Sequence, residues 1–171
     1  YLINLFNKMA EIFNGNINTV YNLDGLPDKN LIDAFKKAFT AKSILLISPV
    51  FYNEELRKKY KSFFYTNEQL ENILQYMDKQ EINSEILFSI VPGVNEKENN
   101  ESKKYGEYLK NKFKYVNGCY TYNIDIEPAS PWTYNPEKYN LKNPKKTFSD
   151  YYNNVKSIEK SFEKTFMTAF V

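Results

Sequence analysis

Residues 43–50 read SILLISPV and residues 84–91 read SEILFSIV. These two continuous apolar runs of strand length decide the fold. A run of this kind fits a strand buried on both faces, as in a parallel sheet covered by helices. Between them stands Thr66-Asn67-Glu68-Gln69, a capping box in which Thr66 caps a helix and Gln69 reaches back to it. That helix turns Leu70, Ile73, Leu74 and Met77 to one side.

Upstream, Leu2, Leu5, Phe6, Met9, Ile12 and Phe13 fall at helical spacing, and residues 17–23 alternate as a short strand through Ile17, Thr19, Tyr21 and Leu23. Pro27 and Asp28 open a helix with Leu31, Ile32, Phe35 and Ala38 on one face. Downstream, Pro92-Gly93 ends the second run, and Asn95 with Glu98 caps a helix reaching about Phe113. Residues 115–127 make a longer strand on which Tyr120, Tyr122, Ile124 and Ile126 share a face. Residues 128–146 form a long loop. Thr147 and Asp150 then repeat the capping signal before a last helix over 147–171, carrying Tyr151, Val155, Ile158 and Phe162.

The order is a helix followed by four strand–helix units, with no linker and no repeat, so residues 1–171 read as one domain. The fold class is α/β: consecutive β-α units forming a mainly parallel sheet with right-handed crossovers. A sheet of four strands leaves two apolar edges unpaired, a liability unless something covers them. The expected partner is therefore a missing part of a barrel, or a second copy at the exposed edges.

Composition removes several chemistries. The chain has 171 residues, one cysteine and no histidine. Ser-His-Asp and Cys-His catalysis and imidazole-dependent zinc sites are excluded. Cys119 alone forms no internal disulfide and holds no iron–sulfur cluster, so a reducing cytoplasm is the expected compartment. The charge of +2, from 23 basic and 21 acidic groups, gives no nucleic-acid footprint. No apolar run approaches the roughly 20 residues of a membrane span. Twenty-two lysines against one arginine, with 22 asparagines and 15 tyrosines, reflect the codons of an A+T-rich genome and carry little signal residue by residue. The opening Tyr1-Leu2-Ile3 lacks Met, and reads as a fragment, an excised piece or the ordered part of something longer.

In parallel α/β folds, sites gather at the carboxyl ends of strands. Residues 22–24, 48–52, 89–96 and 123–132 are those places. Asp125 and Glu127 share a strand face and read first as a solvated strand end, with acid–base work the alternative. Val91-Pro92-Gly93 lets the backbone approach a ligand, or simply turns. Glu54, Glu55 and Arg57-Lys58-Lys59 read as a solvated helix face.

The order of four stretches resembles the later part of a radical S-adenosylmethionine (SAM) barrel. LISPVFYNEELRKKY (46–60) is similar to the family's fourth strand, where Glu-Ser-Gly-Ser often precedes a helix. YTNEQLENILQYMDK (65–79) is similar to the helix that follows. Residues 89–96, SIVPGVNE, resemble the fifth-strand G-x-I-x-G-x-x-E pattern, and IEPASPWTYNPEKYNL (126–141) resembles the sixth-strand end of members that also carry a cobalamin-binding domain. The resemblance spans about residues 15–155.

It implies a radical-SAM-like partial TIM barrel. In that family a [4Fe–4S] cluster on a CxxxCxxC loop cleaves SAM to a radical. The fourth strand holds the ribose, and the fifth and sixth pack around adenine. Carried over by position, Ser48 and Val50 fall on the ribose side. Ser89, Val91, Gly93 and Glu96 fall on the adenine-supporting strand, and the backbone of Pro128, Ala129 and Ser130 near adenine. The CxxxCxxC loop is missing, so no iron is expected on this chain. SAM and the cluster are implied for the full-length protein, with cobalamin a further possibility. Val50-Phe51-Tyr52-Asn53 stands where Glu-Ser-Gly-Ser is expected, and Phe51 and Tyr52 are expected to fill space a ligand needs. Losing a charge-assisted hydrogen bond there weakens binding by roughly 1.5–3 kcal/mol. The reading is an enzyme fragment inactive on its own, or a degenerate, non-catalytic binding or assembly module.

Overall fold

A computed structural model describes residues 1–60, 63–90, 96–123 and 134–139. By contact density the chain divides into two units. The first comprises residues 1–90 and 95–122. Of the second, the described part is Asn123 together with Tyr134, Asn135 and a single 3-10 turn, Pro136–Tyr139. The expected loop over 128–146 lies mostly outside the described residues, and the helix over 147–171 wholly so.

In the first unit, save for the last residue of the last strand, the elements run α1 (Leu2–Phe13), β1 (Val20–Leu23), α2 (Lys29–Ala38), β2 (Ile44–Val50), α3 (Glu54–Tyr60), α4 (Asn67–Lys79), β3 (Asn83–Ile90), α5 (Glu96–Lys112) and β4 (Val116–Asn123). The class is α/β, with a four-stranded parallel sheet and five helices among the described residues. Strand order is β1-β2-β3-β4, so every strand pairs with its predecessor. Val20 aligns with Ile44 in the first pair, and Ile44 with Asn83 in the second.

Local chemistry explains the element boundaries. Asn14 at φ 48° and Gly15 at φ 69° end α1 in the left-handed turn that closes many helices. The Asp28 carboxylate accepts from the Leu31 amide at 2.8 Å and starts α2. Both bonds of the capping box form at α4: the Gln69 amide donates to Thr66 Oγ1 at 3.1 Å, and the Thr66 amide donates to Gln69 Oε1 at 2.9 Å. The first strand is shorter than its alternation suggests; Ile17 makes only an isolated parallel bridge to Phe39.

The core lies on one side of the sheet. Leu23, Leu45, Ile47, Ile86 and Phe88 meet Phe6 of α1, Phe35 of α2, Leu70 and Leu74 of α4, and Leu109 of α5 in one cluster. Each such side chain contributes about 1.5–3 kcal/mol when fully buried. Helix α5 comes close at Gly106, where an added Cβ would lie 3.0 Å from Cys119 Cβ and 3.3 Å from Phe88. The alternate residues Val20, Asn22, Ile44, Leu46, Glu85 and Leu87 are only half-buried or exposed. Burial on both faces, expected from the apolar runs, is thus met along the helix side, and on the other face only at the carboxyl ends, where Ser48 and Ser89 are buried. An apolar run reports hydrophobicity on both faces, not what covers the second. No helix among the described residues is long and apolar enough to cross a membrane.

Candidate functional site

The carboxyl ends of β1, β2 and β3 carry a row of small polar side chains: Asn22, Ser48 and Ser89. Ser48 Oγ donates to Asn22 Oδ1 at 3.3 Å, which puts the two on one side of neighbouring strands. Strand alternation puts Ser89 on the face of Glu85 and Leu87, opposite the helix layer. Its side chain is buried, yet Oγ makes no hydrogen bond to any protein group. Buried hydroxyls without a partner are uncommon and cost about 1–3 kcal/mol.

Between Ile47 and Val50 the β2–β3 register shifts. Val50 has φ 69°, and the Phe51 amide donates across it to the Pro49 carbonyl at 2.9 Å. An i to i+2 hydrogen bond around a positive φ marks the rarer, strained form of the γ-turn. For a β-branched residue such a backbone is an outlier. Strain of this kind gathers at functional sites, where surrounding contacts over-determine it.

Those contacts come chiefly from Arg57. Its guanidinium is fully buried. Nε donates to the Pro49 and Phe51 carbonyls at 3.2 and 3.1 Å, and Nη2 donates to Phe51 O and Asn67 Oδ1, both at 2.6 Å. Nη1 donates to Tyr65 O at 2.7 Å, and the Tyr65 ring lies 5.0 Å from the guanidinium carbon. Burial lowers the Arg57 pKa from the usual guanidinium value, against the opposing pull of Tyr65, Tyr105 and Glu54. The solvated face expected for Arg57-Lys58-Lys59 is therefore corrected at Arg57. Glu55, Lys58 and Lys59 are exposed, whereas the Arg57 guanidinium is drawn inward by four oxygen acceptors.

Further bonds lock the corner after β2. The Tyr52 amide donates to Ser102 Oγ of α5 at 3.0 Å, and Asn67 Nδ2 donates to Tyr52 O at 3.0 Å. Asn53 Oδ1 accepts from the Leu56 amide at 3.1 Å and starts α3. Phe51 is fully buried, with its ring 5.5 Å from that of Tyr60. Tyr52 turns to an open groove of about 630 Å³ between α4 and α5, where its ring packs 4.8 Å from Tyr105.

Of the residues carried over from the resemblance, Ser48, Val50 and Ser89 are brought to this end of the sheet. Val91, Gly93, Pro128, Ala129 and Ser130 lie outside the described residues, as do Asp125 and Glu127. Glu96 opens α5, but its side chain lies outside them too. Asn22 falls in the first of the strand-end stretches the sequence offers, residues 22–24, whereas Arg57 and Asn67 fall in none of them. The one available signal was that Arg57 is the single arginine among 23 basic residues.

An iron–sulfur cluster does not fit these residues. Cys119, the chain's one thiol, packs against Gly106, and burial pushes its pKa up to about 11, away from the thiolate a cluster needs. Among the described residues no three His, Cys, Asp or Glu side chains are grouped to hold a metal. No family model matches the chain, no curated protein matches its sequence and no solved structure matches its fold.

Proposed function

We propose that the chain is the carboxy-terminal part of a radical-SAM-type barrel, contributing the SAM-binding wall and inactive on its own. The winding carries this reading: four parallel strands in sequential order, with the hydrophobic core of the described residues packed between the sheet and the helices. Right-handed crossovers that never reverse direction stack all helices on one face, as in a (β/α) barrel. The opposite face then corresponds to a barrel interior. The Asn22–Ser48–Ser89 row sits at its carboxyl-end mouth, where such barrels bind their ligands. Hydroxyl and amide groups there suit a ligand rich in hydroxyls, such as the ribose of an adenosyl group. The cluster that cleaves SAM would need cysteines from outside this chain. Cobalamin enters only through the resemblance of residues 126–141.

A second reading, a non-catalytic relative, is favoured by the β2 corner itself. The positions matching Glu-Ser-Gly-Ser form a strained turn tied down by Arg57, with no carboxylate at Val50 to meet ribose hydroxyls.

Equilibrium dialysis with S-adenosylhomocysteine, which cannot be reductively cleaved to a radical, separates the two. The first reading expects saturable binding, weakened by Ser89→Ala and Ser48→Ala. A folded chain that shows no saturable binding rejects the SAM-binding wall and leaves the non-catalytic binding or assembly module.

A further inference from the structure

We propose that Arg57 is a positioning residue: its planar fork holds the positive-φ turn at Val50 and thereby sets the shape of the mouth at β2. In its ligand-binding half this rests on the adenosyl reading above.

Three observations converge on it. The turn is bounded by two carbonyls, Pro49 O and Phe51 O, and Arg57 Nε donates to both. The same guanidinium reaches Tyr65 O and Asn67 Oδ1, and Asn67 in turn holds Tyr52 O, so the end of β2 is fastened to the start of α4. Ser48, which bonds Asn22 across the mouth, lies two residues before Val50, inside the segment where register shifts. A lysine would bring the charge but not the fork, since an ammonium cannot satisfy four separated oxygens in one plane.

The turn would then relax without Arg57, and a residue indifferent to the sign of φ would remove the need for it. Glycine is that residue. The test is amide hydrogen exchange on the full chain in four forms: wild type, Arg57→Lys, Val50→Gly and the double variant. The amides read are Phe51 and Tyr52, bonded to Pro49 O and Ser102 Oγ, with Leu45 and Ile86 as core references. Arg57→Lys is expected to speed exchange at Phe51 and Tyr52 by roughly tenfold or more while the references stay slow. Adding Val50→Gly is expected to reverse most of that gain. A uniform acceleration, no acceleration at the two amides, or no reversal by glycine overturns the proposal. If Arg57→Lys fails to fold, Asn67→Ala, which removes one acceptor of the fork, is read by the same criteria.

Dialysis with S-adenosylhomocysteine supplies the functional arm. Arg57→Lys should weaken binding by roughly tenfold to a hundredfold, the scale for misplaced binding groups, with recovery in the double variant. Unchanged affinity beside an opened corner overturns the link to the mouth. A wild-type chain that does not bind overturns the adenosyl reading alone, and the exchange data then decide for Arg57.

Discussion

At Val50 a β-branched side chain occupies backbone space that suits glycine. Left-handed geometry costs an L-residue about 1–2 kcal/mol, a penalty glycine escapes. In a strand, alanine normally outranks glycine; at this position the order should invert. Val50→Gly is expected to exceed Val50→Ala in stability by about 1 kcal/mol in urea unfolding. The usual order would show that the turn is not held at positive φ in solution. None of this could be read from SPVFYN, because valine at the end of an apolar run looks like more strand. Arg57 was equally hidden. Its burial depends on four oxygens from residues 49, 51, 65 and 67, which only the folded chain brings together. A charge beside two lysines gives no local sign of burial.

Elements whose causes are local were legible. Asp28 at α2 and Thr66 with Gln69 at α4 make the bonds their spacing promised, and the two apolar runs are β2 and β3. Long-range side-chain links between elements were not, and the one joining α4 to α5 has a measurable signature. Glu71 accepts from Tyr105 Oη at 3.0 Å, Tyr108 Oη at 3.2 Å and Lys112 Nζ at 2.6 Å. Partial burial alone would raise the Glu71 pKa; donation by Lys112, Tyr105 and Tyr108 outweighs it and holds the carboxyl below its usual value. A carboxyl depressed in the folded state stabilises above its unfolded pKa, about 4.3, and that contribution fades as pH falls through the folded pKa. Glu71→Gln should therefore cost about 1 kcal/mol at neutral pH. The gap to wild type should close in acid; a gap that stays constant down to about pH 3 would place the stabilisation in packing rather than charge.

Across the whole sheet, the face opposite the helices carries Val20, Tyr120 and Tyr122 at 62%, 49% and 46% exposure. Tyr120 folds over Gly118 and reaches Glu85 Oε1 at 3.4 Å, which leaves its ring as surface. Apolar surface beside open strand edges favours association. Sedimentation velocity should show a weight-average mass that rises with concentration, and Val20→Lys with Tyr122→Lys should suppress the rise. A monomer at every concentration would argue that this face has no use for a partner. The order of the strands has one more effect, on how the sheet is made. Each strand bonds the one synthesised just before it, so no element waits for a distant partner to leave the ribosome. Such a sheet lengthens as translation proceeds, one strand–helix unit at a time, and its growing rim is always the newest strand.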